Sequence, residues 1–210
     1  SPPTVVASAN VTICNGKSAT LTATITVATS SPYDYAWTSP IGGTDLGSPN
    51  TNTASLTNTT TATPTVTTTY TVIVTDNLTC VSAPAFVTVT VNQPPVATFN
   101  YAGTPYCQDA ANPSPTFTGG GVAGTFTATP AGLVFVSAAT GQVNLSGSTA
   151  GTYTVTNTIA ASGGCGAVAA TNTITITALP VATFNYAGTP YCQDAANPSP
   201  TFTGGGVAGT

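Results

Sequence analysis

The sequence has almost no charged side chains and lacks the usual metal-binding ones. Its 210 residues include no His, Met, Arg or Glu, a single lysine and five aspartates, which gives a formal net charge of −4. Nucleic acid is excluded as a partner, because basic side chains supply most of the affinity for phosphate. Neither a zinc site nor a thioredoxin-like redox site is expected, since there is no His and no CxxC pair.

The residues needed for catalysis are also scarce. Asp34, Asp45 and Asp76 are scattered through the first part of the chain, and the repeat described below contains only Asp109. A hydrolase needs paired carboxylates or a nucleophile beside a base, and a calcium site needs several converging oxygens. We therefore expect a protein that is not an enzyme and binds no metal or cofactor. No apolar run reaches the roughly 20 residues that cross a bilayer, so no membrane insertion is expected in this segment.

One stretch of 31 residues occurs twice without a change, at residues 95–125 and again at 180–210, an offset of 85 residues. A fixed period of this length defines the folding unit of a tandem array. The sequence therefore predicts three parts: a first module at residues 1–93, one complete 85-residue repeat at 94–179, and the first strands of the next repeat at 180–210.

Apolar residues alternate with threonine along much of the chain. From Ala19 to Val27 every second residue is apolar and the residues between are threonines, the pattern of a half-buried strand. Trp37, Tyr70 and Tyr153 are expected in the core. About seven short strands are predicted in the complete repeat, at residues 96–101, 116–118, 124–128, 133–136, 142–146, 151–159 and 171–177. Seven alternating strands in about 85 residues predict an all-β fold of tandem immunoglobulin-like sandwiches, about seven strands in each.

Several stretches resemble a known family. The segments ICNGKSATLTAT, YAWTSP, TPTVTTTYTVIVTDNLTC and FVTVTV resemble the Ig-like and PKD-like modules of very large surface proteins in Bacteroidetes-type bacteria, usually exported by type IX secretion. The segment GLVFVSAATGQVNLSGSTAGTYTVTNT resembles Ig-like repeats of bacterial adhesins. These motifs mark strands and turns, and no active site. The resemblance implies an extracellular, cell-surface location and a role in fibres, stalks or adhesion.

The five cysteines divide between the modules, and one pair per module indicates disulfides formed in an oxidising compartment. The simplest pairing lies within each module, Cys14 with Cys80 and Cys107 with Cys165, leaving Cys192 to a partner beyond the chain end. These cysteines are expected in connections at opposite ends of an Ig sandwich, which argues against that pairing. A bond between neighbouring modules, Cys14 with Cys165, is the alternative.

The sequence therefore predicts a structural extracellular fibre or stalk, whose partners are neighbouring repeats or copies of itself. A carbohydrate-binding adhesive module is the first alternative, with surface glycans as partners and aromatic side chains as sugar platforms: Tyr35, Trp37, Tyr101 and Tyr106. Binding of ice or a crystalline surface through threonine ladders is the second. The apolar residues of the last segment need a cover, supplied by a continuing repeat or by a neighbouring chain: Val181, Phe184, Tyr186 and Phe202.

Overall fold

The computed structural model describes residues 1–47, 51–206 and 208. Residues 207, 209 and 210 of the predicted second copy therefore lie outside the described chain, as do residues 48–50. The described residues form strands and turns, with no helix among them. They divide into two compact units. Unit 1 comprises Ser1–Val96 together with Ile159–Val168, and unit 2 comprises Ala97–Thr158 together with Ala169–Thr210.

Unit 1 is a sandwich of two sheets. Its described residues contain seven strands: β1 (Thr4–Ala7), β2 (Val11–Cys14), β3 (Ala19–Val27), β4 (Asp34–Thr38), β5 (Thr57–Ala62), β6 (Thr68–Thr75) and β7 (Ala85–Asn92). One sheet has the order β1-β3-β5 and the other the order β2-β7-β6-β4. All neighbours are antiparallel except β2 and β7, which run parallel. From β1 to β6 each strand thus lies in the other sheet from the strand before it, and β6 and β7 form an antiparallel hairpin within the second sheet, as in immunoglobulin-like folds.

The alternating residues of unit 1 form one core between the two sheets. Leu21 comes from the first sheet, Trp37 and Tyr70 come from the second, and all three are buried. The indole of Trp37 donates to Asn58 Oδ1 at 2.9 Å, so its polar atom is satisfied inside the core. Val27 departs from the predicted pattern and is 55% exposed. It lies opposite Thr4 at an irregularity in the pairing of β1 with β3, where the regular alternation ends.

Unit 2 has two long central strands and several strands of only two or three residues. The strands of the complete repeat are β8 (Phe99–Asn100), β9 (Tyr106–Cys107), β10 (Thr116–Phe117), β11 (Thr125–Thr129), β12 (Phe135–Ser137), β13 (Gln142–Val143), β14 (Gly151–Ile159) and β15 (Val168–Thr177). The main sheet has the order β11-β14-β15-β9, with β9 parallel to β15. β8 pairs with β10, and β12 with β13. Read from β9 to β11, the strand order of the main sheet corresponds to the order β2-β7-β6-β4 of the second sheet of unit 1, and each begins with a parallel pair.

The core of unit 2 is built around aromatic rings. Phe99 and Phe126 stand edge to face, with centroids 5.2 Å apart, and Tyr153 is buried in the same cluster. The Tyr153 hydroxyl donates to Thr149 O at 2.7 Å, four residues earlier at the start of β14. This is the geometry of a tyrosine corner. β9 is an additional strand that the alternation did not predict, because two residues are too few to show a period.

The segment after residue 179 folds locally like the start of unit 2. β16 (Phe184–Asn185) pairs with β17 (Thr201–Phe202) in the register of β8 with β10. Here, however, the side chains that are buried or half-buried in the first copy are exposed. Phe99 is 6% exposed, whereas Phe184, its counterpart in the second copy, is 55% exposed. Local sequence thus suffices for the hairpin, while burial needs the rest of the repeat.

The buried Tyr70 hydroxyl gives a prediction for stability. It donates to the buried carboxylate of Asp45. Tyr70→Phe removes the donor, and we expect the free energy of unfolding of unit 1 to fall by about 1–3 kcal/mol, the usual cost of an unpaired buried group. Fluorescence of Trp37, the only tryptophan, measures unfolding of unit 1 in guanidinium. Tyr153→Phe in unit 2 is the matched control and should leave this transition in place. Equal effects of the two changes would contradict the prediction.

Candidate functional site

The most distinctive local structure in the described chain is a disulfide between Cys14 and Cys165. Their Cα atoms are 4.6 Å apart, and 151 positions separate them in the sequence. Each cysteine is 6% exposed. Cys80 and Cys107 are half-buried free thiols, and Cys192 is an exposed one. The bond lies inside unit 1, because the turn between β14 and β15 belongs to that unit. We call this site, formed by Cys14, Cys165, Asn92 and the two glycines before Cys165, the cysteine junction.

Cys14 is positioned by the parallel pairing of β2 with β7. It is the last residue of β2 and lies opposite Asn92, the last residue of β7. The next amide, Asn15 N, donates to Asn92 O at 2.8 Å, and Lys17 N closes a turn on Cys14 O at 3.0 Å. These bonds fix the backbone on both sides of the cysteine, so its sulfur is held at the end of the sheet.

Cys165 is brought to this end by a glycine turn. Gly163 and Gly164 have φ of +54° and +79°, a region that favours glycine. A Cβ on Gly164 would lie 2.9 Å from Ile13 Cα, so only glycine permits this approach to the backbone of β2. The Asn92 side-chain amide donates to Gly163 O at 2.8 Å. Two backbone hydrogen bonds between Ser162 and Cys165 close the turn, and the Asn92 amide and the disulfide hold it at the end of β7 and β2.

The structure corrects the pairing expected within each module. Cys14 lies at the end of β7, whereas Cys80 lies in the turn before β7 begins. At about 3.3 Å per residue, the eight residues of this strand separate the two by roughly 25 Å. Disulfides require Cα atoms within about 7 Å. Cys107 and Cys165 are likewise too far apart, because they lie at opposite ends of β15. The alternative pairing, Cys14 with Cys165, is the one that forms.

The turn that carries Cys80 is organised by Asp76. Its Oδ1 accepts from Leu78 N and Cys80 N, both at 2.9 Å. The Thr29 hydroxyl beside the carboxylate, followed by these two amides, holds the pKa of Asp76 below its usual range. The carboxylate is 5% exposed. The Asp76 carboxylate therefore closes the β6–β7 turn on itself, and Asn77 N, which donates to Ser30 O at 3.0 Å, joins the turn to the β3–β4 connection.

The aromatic residues considered as sugar platforms do not present a surface. Trp37, Tyr35 and Tyr101 are buried at 7%, 1% and 4% exposure, and Tyr106 is half-buried. Burial raises the pKa of the Tyr35, Tyr101 and Tyr106 hydroxyls. Among the described residues, no group of three or more His, Cys, Asp or Glu could hold a metal ion, and no helix is long and apolar enough to span a membrane.

Three residues of the cysteine junction were missed by sequence reasoning. Asn92 lies in an ordinary strand end, and no local pattern distinguishes it. Gly163 and Gly164 stand directly before Cys165 in the sequence GGCG, which is a visible turn signal. The signal predicts a tight turn, but it does not reveal which backbone the turn approaches.

No protein-family model and no curated protein sequence matches the chain. Several solved structures align with much of the chain at low sequence identity. A three-Ig fragment of titin, in an E-to-A mutated variant, is 14% identical over 87% of this chain and 71% of its own, with a TM-score of 0.49. Drosophila N-cadherin EC1-4 is 9% identical over 84% of this chain and 50% of its own, with a TM-score of 0.44.

A bacterial structure also aligns with the chain, with a lower TM-score. A SusE-like surface-located polysaccharide binding protein from Bacteroides thetaiotaomicron is 16% identical over 90% of this chain, with a TM-score of 0.32. This chain spans 36% of that protein's length. The predicted fold class, all-β and immunoglobulin-like, is confirmed.

The cysteine junction predicts a thiol count. In the folded chain we expect three thiols to react with a thiol reagent and two more to appear after denaturation and reduction. Mass spectrometry of a non-reduced digest should join the peptide containing Cys14 to the one containing Cys165. A digest in which Cys14 is joined to Cys80, or five reactive thiols in the folded protein, would contradict the structure.

The Asp76 carboxylate predicts an acid limit to the stability of unit 1. Because its pKa is lower in the folded state, its contribution is complete above the ordinary carboxyl pKa of about 3.9 and is lost as the pH falls through the folded value. Asp76→Asn should lower the melting temperature at pH 7 and flatten its dependence on pH below 4, measured by Trp37 fluorescence. Parallel pH profiles for the two proteins would rule out this role.

Proposed function

We propose that the chain is a segment of a non-enzymatic extracellular fibre or stalk, built of tandem Ig-like modules and exposed on a cell surface. The observation that carries the proposal is the Cys14–Cys165 disulfide, which closes a loop of almost the whole of two modules. A disulfide of this kind persists in oxidising surroundings, which supports a location outside the cytosol.

The disulfide changes the path that tension takes through the chain. A force applied between residue 1 and the end of the chain passes from Cys14 to Cys165 through the sulfur atoms. The residues between them are then not extended, even when their strands separate. A covalent bypass of this kind would limit the stretching of a fibre.

The segment from residue 180 supports the tandem arrangement. It contains a hollow of about 650 Å³ lined by Asn185, Tyr186, Thr189, Tyr191 and Pro198. In the complete repeat three of the five matching residues are buried or half-buried: Tyr101, Tyr106 and Pro113. Tyr101, the counterpart of Tyr186, donates its hydroxyl to Gly141 O. The carbonyl of Pro113, the counterpart of Pro198, accepts from Val143 N at 3.0 Å. The hollow therefore fits the strands that follow in the same repeat, and we propose residues 180–210 as the start of another module.

For the family and the export route, the proposal follows the resemblance of the sequence. We propose that the chain comes from an Ig-like and PKD-like surface protein of a Bacteroidetes-type bacterium, exported by type IX secretion. Paired threonines on the outward faces support an exposed fibre. Thr20, Thr22 and Thr24 of β3 lie opposite Thr61, Thr59 and Thr57 of β5. Such pairs stabilise a solvated sheet without charge. Adhesion through glycans would need residues other than the buried aromatics.

Single-molecule stretching tests the proposed mechanical role. With handles at the two ends, the oxidised chain should extend by little more than the residues outside the disulfide loop. Cys165→Ser opens the loop and should lengthen the fully stretched chain by roughly 500 Å, since about 150 residues each add 3.3–3.6 Å.

Cys107→Ser is the matched control for this experiment. It too replaces one cysteine by serine, here a half-buried one, but it leaves the disulfide intact, so its stretched length should equal that of the unchanged chain. If Cys165→Ser and the unchanged oxidised chain reach the same length, the disulfide does not shorten the path of tension, and the proposed role is wrong.

A further inference from the structure

We infer that Cys107 forms a second intermodule disulfide of the same kind as the Cys14–Cys165 bond. Its partner is the cysteine that corresponds to Cys165 in the repeat that follows, which we call the next hairpin cysteine. Two observations support this inference: the backbone geometry around Cys107 and the spacing of the repeat. The inference goes beyond the proposed function, because such a bond would join consecutive modules whatever the array is used for.

Cys107 has the same backbone environment as Cys14. It ends β9, which runs parallel to β15, and it lies opposite Thr177, the last residue of β15. The next amide, Gln108 N, donates to Thr177 O at 3.2 Å, as Asn15 N donates to Asn92 O. Ala110 N closes a turn on Cys107 O at 3.0 Å, as Lys17 N does on Cys14 O. The sequences of β2 and β9 differ, so this agreement comes from the fold.

The chain length to the expected partner also agrees. Cys165 lies 73 positions after Asn92, the residue opposite Cys14. Asn92 stands three positions before Pro95, where the first copy of the 31-residue stretch begins. Thr177, the residue opposite Cys107, likewise stands three positions before Pro180, where the second copy begins. One period of 85 residues beyond Cys165, the next hairpin cysteine therefore lies 73 positions after Thr177. A linker of the same length followed by the same repeat would bring it to the same place.

The turn of the following repeat supplies the required shape. Gly163 and Gly164 allow Cys165 to reach the backbone of β2, and a repeat of identical sequence carries the same pair. Cys80 lies in the matching turn of the first module, but Leu78 and Thr79 precede it there. Thr79 has φ of +62°, the same left-handed region, yet its Cβ stands where Gly164 has only hydrogen. The inference therefore concerns the repeat's hairpin and leaves Cys80 aside.

A pairing within the following repeat is excluded by distance. Cys192 is the counterpart of Cys107, and the hairpin cysteine of its own repeat would lie at the other end of a ten-residue strand like β15. Ten residues span roughly 33 Å, far beyond the reach of a disulfide. Cys107 in the preceding module is the thiol that the geometry leaves available.

The chemistry needs an external oxidant. Two thiols lose two protons and two electrons as the sulfur–sulfur bond forms, and a disulfide compound accepts them through thiol–disulfide exchange. Outside the cytosol a disulfide oxidoreductase fills this role. In the test tube, oxidised glutathione does so and yields two molecules of reduced glutathione.

The test extends this chain by a copy of residues 126–179, which continues the period after residue 210 and adds one cysteine. After equilibration in a glutathione redox buffer, the unextended chain should keep three free thiols. We expect the extended chain, with six cysteines, to keep only two, those of Cys80 and Cys192. Non-reduced peptide mapping should then show the added cysteine joined to Cys107. The Cys14–Cys165 bond reports folding of the first two modules in every sample.

Two matched variants distinguish the partners, because Cys107 and Cys192 lie in identical local sequences. In the extended chain, Cys192→Ser should leave both disulfides in place, whereas Cys107→Ser should leave the added cysteine free. Circular dichroism melting of the extended chain checks that the added strands fold. The inference is overturned if the added cysteine pairs with Cys192, or if it stays free in the Cys192→Ser chain.

Discussion

The parallel pairing of β2 with β7 is the interaction on which the covalent structure depends. It fixes Cys14 at the end of the last strand, while the turn cysteine of the same module lies before that strand begins. A strand of eight residues then keeps the two apart by several times the reach of a disulfide. A cysteine placed in this way can be oxidised only by a partner from outside its own pair of sheets.

The Cys14–Cys165 disulfide contributes a large share of the stability, because the protein has few other strong interactions. With one lysine and five aspartates, ion pairs contribute almost nothing. Cross-strand threonine pairs are worth about 0.2–1 kcal/mol each. Closing a loop of 151 positions contributes about 5 kcal/mol in the chain-entropy model, more than any single noncovalent contact here. The apolar core determines the fold, and the disulfide adds the largest single contribution to holding it closed.

How much could be predicted depended on the range of each interaction. Alternation over eight or more residues predicted β3 and β14, because a half-buried strand is set by its own sequence. β2 and β9 were not predicted as strands, since each is short and is held by a partner far along the chain. The disulfide partner of Cys14 depended on that same pairing, so the sequence left two alternatives open. Gly163 and Gly164 were visible as a turn, but the backbone they approach was not.

The loop closed by Cys14 and Cys165 is longer than the 85-residue period. If Cys107 bonds to the next hairpin cysteine, the second loop begins before the first one ends, and successive loops of this kind overlap. Every peptide bond between the first and last cysteine of such an array then lies inside at least one closed loop. A protease that cuts once within a loop leaves both fragments joined through sulfur. Overlapping loops would therefore keep a tandem array of such modules continuous after single breaks, which separate disulfides within each module would not do at the linkers.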